Sequence, residues 1–221
     1  RRRRRESLDC LMERMQGRMG TKKTDWFTLN EAKHQLLPYS RPMMEMAVAC
    51  SRSPVGAVAS GKHGIGMISI GGTNDEALVG HAKNWSIHEA AAAEAGKTPD
   101  RSKWRITTFA HVAETREKAR ADMEHGLKDF AKYFTDVATF PIVPEGTPSS
   151  VDYLIDNKIA IIGTPDDVFD QIKLLWDATG GYGGYLMLAQ NWADWAATKR
   201  HYELIARYVM PRVNALNNQR Q

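Results

Sequence analysis

Residues 46–61 read MAVACSRSPVGAVASG, and this stretch decides the fold. The apolar run at 46–50 is typical of a short buried strand, and the small residues at 55–62 begin a helical pattern. Between them, at 51–54, lie two serines, an arginine and a proline, and a glycine follows at position 56; Ser, Pro and Gly are residues that form turns. The stretch therefore predicts a strand, a short loop and a helix, which is the repeating unit of a parallel α/β sheet.

The loop of this unit has two interpretations. In the first it is an ordinary turn between a strand and a helix. In the second it binds a phosphate group, with hydroxyls from Ser51 and Ser53 and positive charge from Arg52. The backbone N–H groups of Val55 and Gly56 would open a helix N-terminus, which favours an anion. The stretch matches neither a Walker motif nor a GxGxxG fingerprint, so the residues alone favour the ordinary turn.

Strand-like and helix-like segments alternate on both sides of this unit. A helical pattern near the N-terminus ends at Gly17, and residues 26–37 form either a β-hairpin or an extended excursion. Residues 141–150, rich in Pro, Gly and Ser, predict a long loop. Further strands are predicted at 66–70, 104–112 and 185–189, and further helices at 74–95, 115–134, 163–176 and 193–209, the last ended by Pro211.

The clearest helix start in the sequence is GTPDD at 163–167. Thr164 can cap the helix and Pro165 fits its first position, where a missing N–H costs nothing. Asp167 has the position of the acid in a capping box. We therefore predict a well-defined N-terminus for this helix and a structural role for these residues.

The alternation of strands and helices predicts the fold class. Strands separated by helices of this length pair in parallel through right-handed crossovers, so the class is α/β. The near-continuous apolar strands at 46–50, 66–70 and 185–189 predict that both faces of the sheet are covered. A doubly wound sheet and a (β/α)8 barrel both fit. Only about four central strands are visible, whereas a complete barrel has eight strands and about 250 residues.

Composition excludes several classes of protein. The chain has 221 residues, 43% hydrophobic and 25% charged, as in an ordinary globular domain. Its net charge of +4 includes the five arginines at 1–5, and without them the rest carries −1, so we predict no nucleic-acid partner. Cys10 and Cys50 indicate thiols in a reducing compartment. No run of about 18 apolar residues is present. We therefore predict a cytoplasmic protein with no membrane partner.

Five segments carry a resemblance to a known family over nearly the whole chain. In order along the sequence, they are similar to the C-terminal half of flavin-dependent monooxygenases of the bacterial-luciferase-like superfamily, and most of all to its limonene monooxygenase-like group. The segments are DWFTLNEAKHQLLPYSRP (25–42), AVACSRSPVGAVASGKHGIGMISIG (47–71), HVAETREKARADMEHGL (111–127), IIGTPDDVFDQIKLLW (161–176) and LAQNWADWAATKRHYELIARYVMP (188–211).

The resemblance implies a fold and a function. The fold would be a (β/α)8 TIM barrel, of which residues 1–221 form the C-terminal portion with strands five to eight. The activity would be FMN-dependent insertion of one oxygen atom from dioxygen into a small hydrophobic substrate, such as a terpene, with reduced flavin supplied by a separate reductase. In similar proteins the loop after strand five grips the FMN phosphate, which here implies Ser51, Arg52, Ser53, Val55 and Gly56.

Other candidate residues follow later strands. His111 ends a predicted strand and would contact substrate or flavin, or serve as a structural residue. Asn191 and Trp192 follow the last strand and would orient a substrate or pack the terminal helix, and Trp195 is expected to pack on the outside of the barrel. The histidines lack the spacing of metal ligands, so we predict no metal. The family's principal catalytic histidine has no match here, and no catalytic residue is assigned.

Two alternatives to the monooxygenase stay open. The chain could be a non-catalytic, truncated flavin-binding or interaction protein, stabilised by association across its exposed strand edges. It could also be a deazaflavin-dependent oxidoreductase of the same superfamily. A half barrel leaves its terminal strands unpaired, so a homo-oligomer is expected in either case.

Overall fold

The computed structural model describes residues 2–41, 43–51, 53–138, 141–188 and 191–218. The strands are β1 (Gly20–Lys23), β2 (Thr28–Ala32), β3 (Ala47–Cys50), β4 (Gly66–Ile70), β5 (Trp104–Val112), β6 (Ala160–Gly163) and β7 (Gly184–Leu188). The helices are α1 (Arg2–Met15), α2 (Val55–His63), α3 (Asp75–Glu94), α4 (Arg116–Asp122), α5 (Leu127–Asp136), α6 (Ser150–Asp156), α7 (Pro165–Thr179), α8 (Trp195–Leu204) and α9 (Met210–Asn218).

Among the described residues, five parallel strands form the central sheet. β3 pairs with β4, β4 with β5, and β5 with β7, with registers such as Val48 opposite Met67 and Thr107 opposite Leu186. The remaining strand, β6, pairs with the end of β5 and places Ile162 opposite His111. The predicted α/β class with parallel pairing is therefore confirmed. β6 was not predicted, because its four residues are too few to show a pattern beside the strong helix start that follows.

One face of the sheet is covered by helices. Cys50, Met67 and Trp104 point to this face and pack in one cluster with Trp85 of α3 and Leu175 of α7. These five side chains are at most 3% exposed. Complete burial of a large apolar side chain contributes about 1.5–3 kcal/mol, so this layer fixes the helices on the sheet.

The opposite face of the sheet is exposed at Ala47, Ala49, Ile70 and Leu186. These residues alternate along their strands with the residues that face the helices, and successive side chains of a strand point to opposite faces. We call this surface the open face. The prediction that both faces are covered is wrong for the open face within the described residues, because α2, α3 and α7 all pack against the other side.

A second core, which includes Met123, Leu127, Phe130, Leu154 and Trp192, lies beyond the end of β5. The predicted helix at 115–134 is wrong as a single helix, because α4 ends at Asp122 and α5 begins only after Gly126. The Gly126 N–H donates a hydrogen bond to the Trp192 carbonyl at 3.0 Å, and a Cβ at this position would overlap the Asn191 carbonyl oxygen. The chain therefore turns here to pack against the segment that follows β7.

The end of the chain departs from the prediction at Pro211. Helix α8 continues through a five-residue π-helical turn at Ile205–Val209 into α9, which contains Pro211. Proline removes one backbone hydrogen bond and crowds the preceding turn. Because the π turn just before Pro211 widens the helix, the helix continues through the proline. The predicted end at Pro211 is therefore wrong.

The capping box predicted at the start of α7 is confirmed, since Thr164 and Asp167 bond to each other reciprocally. β1 and β2 form an antiparallel hairpin, in which β2 lies within the ambiguous segment 26–37 and its partner precedes that segment. Cys10 and Cys50 are buried thiols. No helix among the described residues is long and apolar enough to cross a membrane.

Candidate functional site

The carboxyl ends of the parallel strands meet at one edge of the sheet. Loops leave this edge at residue 51 after β3, at 71 after β4 and at 113 after β5, and β7 ends at the same edge at Leu188. Ligands of parallel α/β proteins bind at this edge, because the loops there vary while the strands hold them in place. The predicted site residues that the structure describes lie in these loops or at the strand and helix ends beside them.

The loop after β3 carries hydrogen-bond donors at the start of a helix. Ser51 is exposed and Ser53 is half-buried. The N–H of Val55 lies 3.5 Å from Ser53 Oγ, which is beyond the usual length of such a bond, and no side chain of the described residues caps α2. An uncapped helix start keeps free N–H donors and a partial positive charge. Arg52 lies outside the described residues.

Gly56 lets α2 begin directly against the end of β3. A Cβ at Gly56 would lie 2.5 Å from Cys50 Sγ and 2.6 Å from the carbonyl oxygen of Ala49. Both distances are shorter than real contacts of a Cβ, so a side chain does not fit. The missing side chain of Gly56 thus serves strand packing, and only its backbone N–H remains available to an anion.

Two polar residues of α3 hold the loops that follow β3 and β4. Asn84 is 7% exposed, and its Nδ2 donates to the Ser51 carbonyl at 3.3 Å. His81 is 2% exposed, and its Nε2 lies 3.3 Å from the Gly72 carbonyl. Burial lowers the pKa of His81, although the hydrogen bond to Gly72 opposes this effect. No sequence pattern singled out Asn84, and His81 was only one of the histidines that lack the spacing of metal ligands.

His111 is enclosed by protein groups. It is 2% exposed, its Nε2 lies 3.0 Å from Asp122 Oδ2, and its ring stacks on His201. Burial raises the pKa of Asp122, but hydrogen bonds from His111 and Lys118 outweigh burial and leave that pKa below its ordinary value. The geometry matches the structural interpretation of His111. Among the described residues no open space adjoins His111, so the structure does not support its predicted contact with substrate.

Asn191 and Trp192 have different surroundings. Asn191 is exposed, whereas Trp192 is 2% exposed and packs against Phe109 and Phe130 with ring centroids 6.0 and 5.0 Å away. Trp192 therefore anchors the second core, which includes α5. Trp195 is 80% exposed, so its expected packing is wrong for the described residues.

Two other observations concern ligands. A surface groove of about 400 Å³ is lined by Arg200, Glu203, Ala206 and Arg207, and none of the predicted site residues lines it. Within the described ranges, no group of three His, Cys, Asp or Glu side chains is arranged to hold a metal ion. Of the predicted site residues that the structure describes, those of the loop after β3 and Asn191 therefore keep exposed donors.

Comparison with known proteins identifies the family. The sequence profile of the luciferase-like monooxygenases matches residues 1–182. The chain belongs to the luciferase-like monooxygenase family. This luciferase-like chain is 39% identical over 215 residues to limonene 1,2-monooxygenase of Rhodococcus erythropolis, covering 97% of the chain and 55% of that protein. It is 35% identical over 222 residues to 4-hydroxyprotoasukamycin monooxygenase of Streptomyces nodosus subsp. asukaensis, covering 97% and 59%.

Solved structures agree with this fold. The luciferase-like chain superimposes with a TM-score of 0.65 and 25% identity on the oxygenating constituent of 3,6-diketocamphane monooxygenase from Pseudomonas putida in complex with FMN, covering 94% of the chain and 62% of that structure. An F420-dependent secondary alcohol dehydrogenase gives 0.62 at 18% identity, covering 91% and 59%. The chain thus spans a little over half the length of the curated relatives named above.

Proposed function

We propose that this chain supplies the phosphate-binding loop of an FMN-dependent monooxygenase that inserts one oxygen atom from dioxygen into a small hydrophobic substrate. The observation that carries the proposal is the pair of serines, Ser51 and Ser53, before the uncapped start of α2. This loop lies at the carboxyl end of β3, where parallel α/β folds bind ligands. Family membership and the FMN complex of a relative support the choice of ligand.

The donors at this loop fit the phosphate of FMN. Two hydroxyls and the free N–H groups of a helix start are hydrogen-bond donors that suit a dianion. Arg52 would add charge in the same proposal. Because Gly56 is packed against β3, the start of α2 cannot shift toward the strand, and the donors have a fixed support.

The proposal includes a barrel of which residues 1–221 form the C-terminal portion of one domain. β3, β4, β5 and β7 would be barrel strands five to eight, since they lie side by side in chain order. The open face would then line the barrel interior, which explains why apolar Ile70 and Leu186 are exposed here. The partial coverage of the relatives supports the same proposal.

The chemistry supplied by reduced FMN, when it is bound, is the activation of dioxygen. The residues of this chain would hold the phosphate and exclude water with the apolar side chains of the open face. We extend the proposal to a terpene-like substrate, a separate flavin reductase, a homo-oligomer that covers the strand edges, and a cytoplasmic location. Asn191, which is exposed beyond β7, would orient the substrate.

Replacement of both serines tests the proposed loop. Ser51→Ala with Ser53→Ala should weaken FMN binding by about 1–3 kcal/mol, because charge-assisted hydrogen bonds to the phosphate are lost. Riboflavin lacks the phosphate, so its affinity should not change. Ser86→Ala is the matched control, since Ser86 is exposed on α3 and its hydroxyl bonds only to the Ala82 carbonyl among the described contacts. Unchanged FMN affinity in the double variant would contradict the proposal.

A non-catalytic flavin-binding protein is the second candidate. The observation that favours it is the enclosure of His111, which is 2% exposed and contacts Asp122 and His201 instead of open space. FMN binding without oxygenation of any hydrophobic substrate, in the presence of a flavin reductase and dioxygen, would support this candidate. Binding of a deazaflavin in preference to FMN would instead support a deazaflavin-dependent oxidoreductase.

A further inference from the structure

Helix α3 contacts the proposed phosphate loop through a buried amide. Asn84 and Ser51 are 33 residues apart in the chain, yet the Asn84 side chain reaches the first carbonyl beyond β3. The side chain is buried and lies in the helical layer, while Ser51 itself is exposed at the edge of the sheet. The bond therefore joins the rigid interior to an exposed loop.

This bond restricts the orientation of the loop backbone. Ser51 directly follows the last residue of β3, so its backbone is held by the sheet on one side while its carbonyl is held by Asn84. Among the described contacts no other group binds this carbonyl. Without Asn84 the backbone at Ser51 could rotate, and the Ser51 hydroxyl would move with it.

His81 provides a second contact of the same kind. It lies three residues before Asn84, on the same side of α3, and holds the Gly72 carbonyl beyond the neighbouring strand β4. A Cβ on Gly71 would lie 3.1 Å from the His81 ring, so the loop packs closely on this side chain. One helix thus fixes two adjacent loops at the ligand edge of the sheet.

We propose that Asn84 is a positioning residue for the anionic group bound by the loop after β3. It touches no ligand itself, and it acts by holding the backbone at Ser51, and with it the Ser51 hydroxyl, in the orientation in which the loop binds a phosphate. The inference rests on the proposed function. It adds a residue from a different helix, which neither the serines nor the helix start would reveal.

The test compares FMN with riboflavin, which differ only by the phosphate. Asn84→Leu and Asn84→Ala both remove the amide, and Asn84→Gln restores it on a longer side chain. Each variant and the wild-type protein are titrated with both flavins by fluorescence. We expect Asn84→Leu and Asn84→Ala to weaken FMN about tenfold, equivalent to about 1.4 kcal/mol, with riboflavin changed less than twofold. Asn84→Gln should recover part of the FMN affinity.

Asn74→Ser is the matched control. Asn74 caps α3 and donates its amide to the Asn157 carbonyl at 2.9 Å, so it also joins this helix to a loop, but to a different one. Serine keeps the cap and loses that bond. Both flavin affinities should stay at the wild-type level.

The outcomes separate the two proposals. Equal losses of FMN and riboflavin in Asn84→Leu and Asn84→Ala, or no loss of either, would overturn the positioning role. A wild-type protein that binds FMN no better than riboflavin would overturn the phosphate loop itself, and the wild-type titration alone reveals that result. Amide hydrogen exchange gives a further readout, since it should rise at the start of α2 in Asn84→Leu and stay unchanged in Asn74→Ser.

Discussion

The imidazole rings of His111 and His201 stack in the interior with their centroids 5.4 Å apart and their planes 14° apart. His201 Nδ1 accepts the Val112 N–H at 2.9 Å, which fixes the end of β5 to α8. Both rings are 2% exposed. Helix α8 is thus held to the sheet by an unprotonated ring nitrogen, and protonation of that nitrogen breaks the contact.

Stability should depend on pH through His201. Burial and the charge of His111 lower its pKa to about 4, from an ordinary value of 6.5. Since the unfolded state binds the proton more readily, the free energy of unfolding should fall as the pH falls from about 6.5 to about 4, by at most about 3 kcal/mol from this group. Denaturant unfolding at pH 7 and pH 4.5 measures the change.

His201→Gln should reduce this pH dependence, because glutamine can still accept the Val112 N–H and does not titrate. His125→Gln is the control, since His125 is exposed. An equal pH dependence in the wild type and His201→Gln would show that the buried ring does not cause it.

Two glycines in helices should respond in opposite directions to alanine. Gly56→Ala should destabilise the protein by about 1–3 kcal/mol, because the added methyl overlaps Cys50 and the end of β3. Gly80→Ala in α3 has no neighbouring atom within 4 Å and should stabilise by up to about 1 kcal/mol, since alanine favours a helix interior. Thermal and denaturant unfolding measure both changes. Equal effects at the two positions would contradict the packing of α2 on β3.

Arg101 should stabilise the end of the sheet opposite the loops. Its guanidinium lies 4.7 Å from the Trp85 ring centroid and donates to the Thr179 and Gly181 carbonyls at 2.8 and 2.7 Å. Lysine keeps the charge but cannot bind both carbonyls while stacking on the ring, so Arg101→Lys should cost about 1–2 kcal/mol.

The matched control for Arg101 is Arg18→Lys, at an exposed position for which no side-chain contact is described. Denaturant unfolding compares the two variants with the wild type. If Arg101→Lys and Arg18→Lys unfold at the same denaturant concentration, the stacked guanidinium contributes nothing measurable.

Local chemistry explains which elements could be predicted. The capping box of Thr164 and Asp167 and the strand over 104–112 follow from residues that are neighbours in sequence, and the structure confirms both. The break at Gly126 could not be predicted, since its cause is a contact with Asn191 and Trp192, about 65 residues later. The passage through Pro211 depends on a π turn that no sequence pattern indicated.

The candidate site likewise contains residues that the sequence indicated and one that it did not. Ser51 and Ser53 stood out in the sequence because they follow an apolar strand and precede a helix, and Gly56 because it lies in the first turn of that helix. Asn84 did not, because its role depends on the contact between α3 and a loop 33 residues away.

The sequence by itself determined the α/β class, the parallel pairing and the loop after β3, because periodicity and turn chemistry act between near neighbours. Only the tertiary structure decided that His111 is enclosed by Asp122 and His201, that Gly56 serves the packing of α2 on β3, and that Asn84 holds Ser51. No sequence pattern links the members of these pairs, because they come together only when the helices pack on the sheet.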